Sequence, residues 1–291
     1  MSLVAENNTP DWSKFVNWSC VLPPNRPGPE FLRIVQKELE RLPTNARIAV
    51  LGSTPEFRDS ILSAGRFDSL VFDKSAAFYQ LMSEHMLYPK ETPENLVYGD
   101  WLQTLKDFEN YFDLVLSDLT WGNIPFNQQE QFGSIVAESL RSGGRLIDRV
   151  LVHRRFLKLA DLNDSFACQP LNLITLNNFN SQWLFCSELI SEYGLVDVSA
   201  FLDRVLASRF HPSIHTLARK VEVVTPRGNV WFYSPDLNNF DNFYYPNLKT
   251  IDCFGEPLQS AFAGFVFTYI LERSGNTGSE LAGHLKDIEG L

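Results

Sequence analysis

The chain has 291 residues, of which 44% are hydrophobic and 21% charged, so it can bury a sizeable core and is not disordered by composition. Its 25 Lys and Arg against 35 Asp and Glu give a net charge of −10, which disfavours nucleic acid and anionic membranes as partners because both select a basic surface. The longest apolar run, residues 261–271, falls short of the roughly 20 residues that a membrane helix needs. The polar N-terminus and four scattered cysteines without a CxxC pair predict a cytoplasmic protein with reduced thiols.

The first half of the chain predicts a parallel sheet. Residues 1–46 form an N-terminal arm that ends in a helix over Glu30–Leu42, where apolar residues recur at helical spacing. In residues 47–152, short apolar runs alternate with helical segments, which is typical of βαβ units with both sheet faces covered. The predicted strands are Ile48–Leu51, Leu70–Phe72, Leu96–Tyr98, Leu114–Leu116 and Leu146–Val152, and the predicted helices are Phe57–Ala64, Ser75–Met86 and Gln128–Leu140.

The second half predicts an insertion followed by the completion of the sheet. Residues 153–245 are too many for one crossover, and they begin at the sheet edge where open α/β folds bind ligands, so we expect a cap over that edge. Residues 246–273 hold two last strands, Leu248–Phe254 and Phe262–Leu271, which we expect to pair antiparallel because about seven residues are too few for a parallel crossover. Residues 274–291 predict a linker and a short terminal helix. Within the insertion, the predicted helices are Arg154–Ala160, Ser181–Tyr193, Ser199–Phe210 and Ser213–Val221, and the predicted hairpin joins Val221–Thr225 to Asn229–Ser234.

Four consecutive strand ends carry the residues that point to function. Gly52 follows the first strand, where glycine permits close approach of a ligand, although a plain turn glycine is the simpler interpretation. Asp73, with Lys74 beside it, ends the second strand about 20 residues later and is placed to accept hydrogen bonds from ribose hydroxyls. Asp100 and Trp101 follow the third strand, and Asp118 ends the fourth. Each acid could instead cap a helix or lie on the surface.

In this order and spacing the sequence resembles the class I S-adenosylmethionine-dependent methyltransferases. The matching stretches are AVLGSTPEFRD, VFDKS, VYGDW, FDLVLSDLTWGN and LRSGGRLIDRV, within about residues 47–152, and the last strands at 246–272 also fit. The resemblance implies an α/β, Rossmann-like doubly wound sheet of seven mostly parallel strands with an antiparallel last strand. It also implies S-adenosyl-L-methionine as cofactor and S-adenosyl-L-homocysteine as product. The implied roles are Gly52, Ser53 and Thr54 near the methionine part, Asp73 with Lys74 at the ribose, Asp100 and Trp101 at the adenine, and Asp118 near the reacting end.

Two other functions stay open beside this methyltransferase. Ser53, Thr54 and Pro55 stand where many members of the family have further glycines, so a binding or regulatory protein that has lost turnover is an alternative. A nicotinamide-dependent oxidoreductase shares the glycine–acid logic, but it normally has GxGxxG and a wholly parallel sheet. The acceptor is expected to be a small molecule rather than nucleic acid. The net charge is acidic, and Leu-Thr-Trp follows Asp118 in place of the Pro-Pro-aromatic motif of methyltransferases that act on the amino groups of nucleobases. A homodimer is also allowed.

The remaining signals assign no catalytic residue and no metal. His211 and His215 have the i, i+4 spacing of metal ligands, but Pro212 lies between them and indicates a helix start instead. Arg149 and residues 153–155 form a basic cluster that we interpret as a solvated face, with an anion clamp as the alternative. Asp118 and His153 are the general-base candidates if the acceptor must lose a proton. The aromatic residues of 231–245 are interpreted as cap core, or as the lining of an apolar pocket.

Overall fold

The computed structural model describes residues 18–23, 25–66, 68–88, 94–151, 157–191, 195–232, 247–256 and 265–274. Its strands are β1 Ile48–Leu51, β2 Leu70–Asp73, β3 Asn95–Tyr98, β4 Phe112–Asp118, β5 Leu140–Leu151, β6 Leu195–Asp197, β7 Val230–Phe232, β8 Leu248–Gly255 and β9 Val266–Arg273. Its helices are α1 Pro29–Arg41, α2 Pro55–Ser63, α3 Ala76–Ser83, α4 Trp101–Thr104, α5 Gln129–Ser139, α6 Leu159–Phe166, α7 Leu173–Gln182, α8 Val198–Ala207 and α9 Pro212–Val224. Within these ranges, no helix is long and apolar enough to cross a membrane.

Seven of the described strands form one mixed sheet in the order β3-β2-β1-β4-β5-β9-β8. The pairs among β1 to β5 are parallel, whereas β9 runs antiparallel to both β5 and β8. This arrangement confirms the predicted Rossmann-like fold with its antiparallel last strand. Since the first five strands are parallel, their carboxyl ends meet at one edge of the sheet, and the chain order reverses at β1 and β4.

Both faces of the central strands β1, β2 and β4 are buried, as their continuous apolar runs require, whereas the edge strands β3 and β8 are largely exposed. Ala49 and Leu51 of β1 pack in one core with α5 and the loop before it, while Ile48 and Val50 pack in a second core with α1 and α2. Alternate residues of the same strand therefore serve opposite faces, since side chains alternate along a strand. The two layers of helices hold the sheet edge rigidly, which fixes the positions of the residues that follow each strand.

The stretch LRSGGRLIDRV, for which the resemblance implies a turn before the fifth strand, contains a bulge within β5. Pairing with β4 jumps from Leu140 opposite Phe112 to Arg145 opposite Leu114, and the chain between bends away from the ladder. Gly143 has a φ of +74°, which glycine adopts without the steric cost of a Cβ. The strand therefore starts earlier than predicted, at the position where the resemblance places a turn.

The insertion has a core of its own, built on α6 to α9 and the short antiparallel pair β6–β7. The predicted helix over Ser181–Tyr193 is wrong, because α7 ends at Gln182 and residue 157 then pairs with the backbone of Phe185 and Ser187. The predicted hairpin is also wrong, because Val221–Thr225 belongs to the end of α9 and β7 pairs with β6 instead. Helix α7 was not predicted. Of the predicted helix Arg154–Ala160, residues 154–156 lie outside the described residues, Leu157 pairs as an isolated bridge and α6 begins only at Leu159.

Candidate functional site

A cavity of about 440 Å³ opens at the carboxyl edge of the sheet. It is lined by the strand ends, by Trp18, Val21 and Asn25 of the N-terminal arm and by the insertion. The structure brings all the residues predicted from the strand ends to this one cavity, namely Gly52, Ser53, Thr54, Asp73, Lys74, Asp100, Trp101 and Asp118. Their placement together agrees with the sequence analysis, while their cofactor-binding roles stay a prediction.

Gly52 makes the sharp turn from β1 toward α2. Its φ is +89°, a conformation that a residue with a Cβ rarely adopts, and its N–H donates to the carbonyl of Phe72 at 2.8 Å. A Cβ placed on Gly52 would have as its nearest contact the ring atom Cζ2 of Trp101, at 3.9 Å. The backbone at Gly52 is therefore open toward the cavity, and Thr54 and Pro55 follow as the N-cap and first residue of α2.

Asp73 is 6% exposed and already holds two hydrogen bonds within the protein. One carboxylate oxygen accepts from the hydroxyl of Ser53 at 2.5 Å, and the other accepts from the N–H of Ser75 at 2.8 Å. Burial raises the pKa of Asp73, and these hydrogen bonds and the neighbouring Lys74 oppose that shift. Each oxygen of an ionised carboxylate can accept more than one hydrogen bond, so Asp73 keeps acceptor capacity for a ligand in the cavity.

Asp100 and Trp101 are fixed by bonds to the backbone. A carboxylate oxygen of Asp100 accepts from the N–H of Leu102 at 2.8 Å, so the helix-cap interpretation of this residue is realised in the structure. The indole N–H of Trp101 donates to the carbonyl of Phe72 at 2.9 Å. The ring of Trp101 also packs near that of Phe132, with 6.1 Å between the ring centroids, and it lines the cavity.

Arg149 corrects the expectation of a solvated basic face. Its side chain is fully buried, and its Nε donates to a carboxylate oxygen of Asp118 at 2.6 Å. Burial raises the pKa of Asp118, and the guanidinium opposes that shift. Arg149 lies in β5 directly opposite Asp118 at the end of β4, a register that the sequence alone does not give. His153, the other predicted general-base candidate, lies outside the described residues with its neighbours 154 and 155.

The loop after β4 forms another wall and is held in an unusual backbone conformation. Leu119 has a φ of +53°, which is uncommon for a residue with a branched side chain and is typical of functional loops. The indole N–H of Trp121 donates to the carboxylate of Asp148 at 2.7 Å. The buried amide of Gln129 donates to the carbonyls of Trp121 and Ile124. These bonds hold the loop against the cavity despite its backbone strain.

The N-terminal arm is the part of the site that the sequence analysis missed. Trp18 donates from its indole N–H to the carboxylate of Glu56 at 3.2 Å, and Arg26 forms an ion pair with the same carboxylate. On the other side, the N–H of Leu22 donates to the side-chain oxygen of Asn177 in α7 at 3.0 Å. The arm therefore joins α2 to the insertion across the cavity. The sequence analysis predicted from the starting point of the insertion that it would lie over this edge of the sheet. In the structure, residues of the insertion line the same cavity as the strand ends.

The histidine pair has a structural explanation. His211 caps α9 through its ring nitrogen Nδ1, which lies 3.3 Å from the N–H of Ser213, and Nε2 of His215 lies 3.1 Å from the carbonyl of Ser208. Over the described part of the chain, no group of three or more His, Cys, Asp or Glu side chains could hold a metal ion. The structure does not describe the side chains of the aromatic residues in 231–245, so their predicted role in the cap core or in an apolar pocket stays a prediction.

No protein-family model matches the chain, and no curated protein matches it. Solved structures resemble it at low identity. A provisionally assigned zinc-dependent alcohol dehydrogenase from Rhodobacter sphaeroides has a TM-score of 0.56 and 16% identity, over 90% of this chain and 96% of that one. A SAM-dependent methyltransferase from Methanosarcina mazei has a TM-score of 0.48 and 10% identity, over 81% and 95%. The N-methyltransferase NodS from Bradyrhizobium japonicum, in complex with S-adenosylhomocysteine, has 0.42 and 11%, over 85% and 89%. At these identities the likeness concerns the fold.

Proposed function

We propose that this protein is a methyltransferase that uses S-adenosylmethionine and transfers the methyl group to a small-molecule acceptor. The observation that carries the proposal is the convergence of Gly52, Asp73, Asp100 and Asp118 on one cavity. They follow four successive strands of a sheet whose last strand is antiparallel. A dinucleotide-binding oxidoreductase would instead be expected to have a glycine-rich first turn and a wholly parallel sheet.

The residues present fit such a cofactor. The open backbone at Gly52 admits close approach to the end of β1, and the spare acceptor capacity of Asp73 suits two ribose hydroxyls. The fixed indole of Trp101 offers a flat apolar surface for a base, and Asp100 keeps a carboxylate oxygen beside its cap bond. When bound, the sulfonium of the cofactor supplies an electrophilic methyl group with a good leaving group.

The protein's part in the reaction is mainly positioning. An in-line displacement on a reactive methyl group needs donor and acceptor held in near-attack geometry, and no protein nucleophile is required. Asp118 is buried and paired with Arg149, so it serves to organise the end of β4. Residues of the arm and the insertion also line the cavity, where they would limit the access of water to the reacting groups.

The test combines binding with product analysis. Calorimetric titration with S-adenosylmethionine, S-adenosylhomocysteine and NAD should give saturable binding of the first two and none of the third. Incubation with a methyl-labelled donor and a panel of small-molecule acceptors should then yield a labelled product. Binding of NAD in place of S-adenosylhomocysteine would overturn the proposal. Binding of S-adenosylhomocysteine with no labelled product across the panel would favour the alternative of a regulatory protein. That alternative is motivated by Ser53, Thr54 and Pro55, which stand where many members of the family have further glycines.

A further inference from the structure

Ser53 ties the turn after β1 to the end of β2. Its hydroxyl donates to a carboxylate oxygen of Asp73 at 2.5 Å, and both residues line the cavity. Ser53 is 1% exposed and Asp73 is 6% exposed, so water competes little for this bond. A serine hydroxyl has a single hydrogen to donate, and here Asp73 receives it. As a donor, Ser53 therefore acts on Asp73, and through Asp73 on a bound molecule.

The carboxylate of Asp73 is held through both of its oxygens. The oxygen that Ser53 does not contact accepts from the N–H of Ser75 at 2.8 Å. Ser75 is itself fixed as the N-cap of α3, where its hydroxyl accepts from the N–H of Phe78 at 3.0 Å. One bond thus comes from the turn after β1 and the other from the turn after β2, and together they set the rotation of the carboxylate. Without the Ser53 hydroxyl, the carboxylate could turn about its bond to Ser75.

The Ser53 hydroxyl also bears on the charge of Asp73. Burial raises the pKa of Asp73, and the largest effect in the opposite direction is the hydrogen bond from Ser53, followed by that from the N–H of Ser75. The charged groups that act on the same carboxylate are Lys74 beside it and Arg58 of α2, and both lower its pKa. A protonated carboxyl has less capacity to accept hydrogen bonds. The bond from Ser53 therefore favours the form of Asp73 that accepts from hydroxyl groups.

Ser53 is one of the residues that stand where many members of the family have further glycines. Gly52, just before it, bonds to the same strand end, where its N–H donates to the carbonyl of Phe72 at 2.8 Å. Two successive residues of the turn, one by its backbone and one by its side chain, are therefore bonded to the end of β2. The serine supplies a bond that a glycine could not, since glycine has no side-chain donor.

On the assumption that the proposed function holds, we propose that Ser53 is a positioning residue for the cofactor, whose hydroxyl holds the Asp73 carboxylate in the orientation that accepts from the ribose. The resemblance to the methyltransferases places Ser53 near the methionine part instead, but its hydroxyl is bonded to Asp73. Loss of this hydroxyl should weaken cofactor binding even though Asp73 is intact. The loss should grow as the pH falls, because Asp73 then takes up a proton more readily.

The first measurement asks whether Ser53 acts through Asp73. Ser53→Ala, Asp73→Ala and the double variant are titrated calorimetrically with S-adenosylhomocysteine between about pH 5 and pH 8. Ser53→Ala should bind about fivefold more weakly than the wild type at pH 8, a loss of the size of one hydrogen bond, and the loss should grow toward pH 5. In the Asp73→Ala background, Ser53→Ala should cost no further affinity, because the carboxylate that Ser53 positions is gone.

The second measurement needs no cofactor. Carbon-13 NMR follows the side-chain carboxyls of the ligand-free protein as the pH changes, and the Asp73 signal is assigned by its absence from Asp73→Ala. The pKa of Asp73 should be higher in Ser53→Ala than in the wild type.

The control variant is Ser139→Ala, which removes an equally buried hydroxyl. Ser139 donates to the carbonyl of Val136 at 2.8 Å within α5 and does not line the cavity. This variant should change neither the affinity nor the pKa of Asp73. Unchanged affinity of Ser53→Ala, an equal loss in the Asp73→Ala background, or an unchanged pKa of Asp73 would each overturn the positioning role. Failure of S-adenosylhomocysteine to bind the wild type would count against the proposed function, while the NMR titration would still decide whether Ser53 controls Asp73.

Discussion

Asp73 offers the sharpest test of the cofactor assignment. If its carboxylate accepts both ribose hydroxyls, Asp73→Ala removes two hydrogen bonds to a charged group, each worth about 1.5–3 kcal/mol. Since about 1.4 kcal/mol is a factor of ten, the affinity for S-adenosylhomocysteine should fall by at least about tenfold. Asp73→Asn should be milder because the amide keeps one acceptor oxygen. Calorimetric titration of the wild type and both variants measures the change.

The same variant should also lower stability, because Asp73 is buried and bonded to Ser53 and Ser75. Leaving one of those donors without a partner costs about 1–3 kcal/mol, which urea unfolding can measure. Asp113→Ala is the matched control. Asp113 is also buried and accepts from the N–H of Arg47 at 2.8 Å, but it lies at the opposite end of β4. This control should lose stability and keep its affinity for S-adenosylhomocysteine. A folded Asp73→Ala that binds as tightly as the wild type would refute the assignment.

Three further predictions concern the turn, the buried ion pair and pH. Gly52→Ala and Gly65→Ala should each lower the free energy of unfolding in urea by about 1–2 kcal/mol, because both glycines have a positive φ. In calorimetric titrations, Gly52→Ala alone should also weaken the binding of S-adenosylhomocysteine. Arg149→Met should lower the free energy of unfolding by about 3–5 kcal/mol by leaving Asp118 buried without its partner, and adding Asp118→Asn should restore part of the loss. Burial raises the pKa of Glu56 above 4.5, so the folded state holds this proton more tightly than the unfolded chain does. The associated stability is present below about pH 4.5 and is lost as pH rises through the raised pKa, so unfolding from pH 4 to 7 should show Glu56→Gln gaining on the wild type.

The sheet and its edge could be predicted from the sequence because their signals are local. The bounds of β1 are as predicted. The position of Gly52 directly after a buried strand indicated a turn, and in the structure Gly52 makes that turn with a positive φ. The predicted hairpin failed because local strand propensity was misleading there. Val221–Thr225 is mostly β-branched and precedes Pro-Arg-Gly, but Ile214, Leu217 and Val221 recur at helical spacing and are buried together in the insertion. Tertiary packing prevailed over local strand propensity.

The arm and the buried arginine could not be predicted because their partners are distant in sequence. Asn25 meets Ser181 and Leu22 meets Asn177 across more than half of the chain, and no periodicity links such positions. Arg149 lies in a basic cluster that suggests solvent, and its burial depends on the register that sets it opposite Asp118. Charged residues are rarely buried unless they are paired, so the burial of Arg149 could be predicted only if its pairing with Asp118 was already known.

The most direct test of the central claim is a crystal structure of the protein in complex with S-adenosylhomocysteine. We predict that the ligand lies in the cavity at the sheet edge, with its ribose hydroxyls within hydrogen-bond distance of the Asp73 carboxylate and its adenine beside Trp101. The methionine part should lie against the backbone at Gly52. A ligand bound outside this cavity, or one whose ribose lies away from Asp73, would contradict the account.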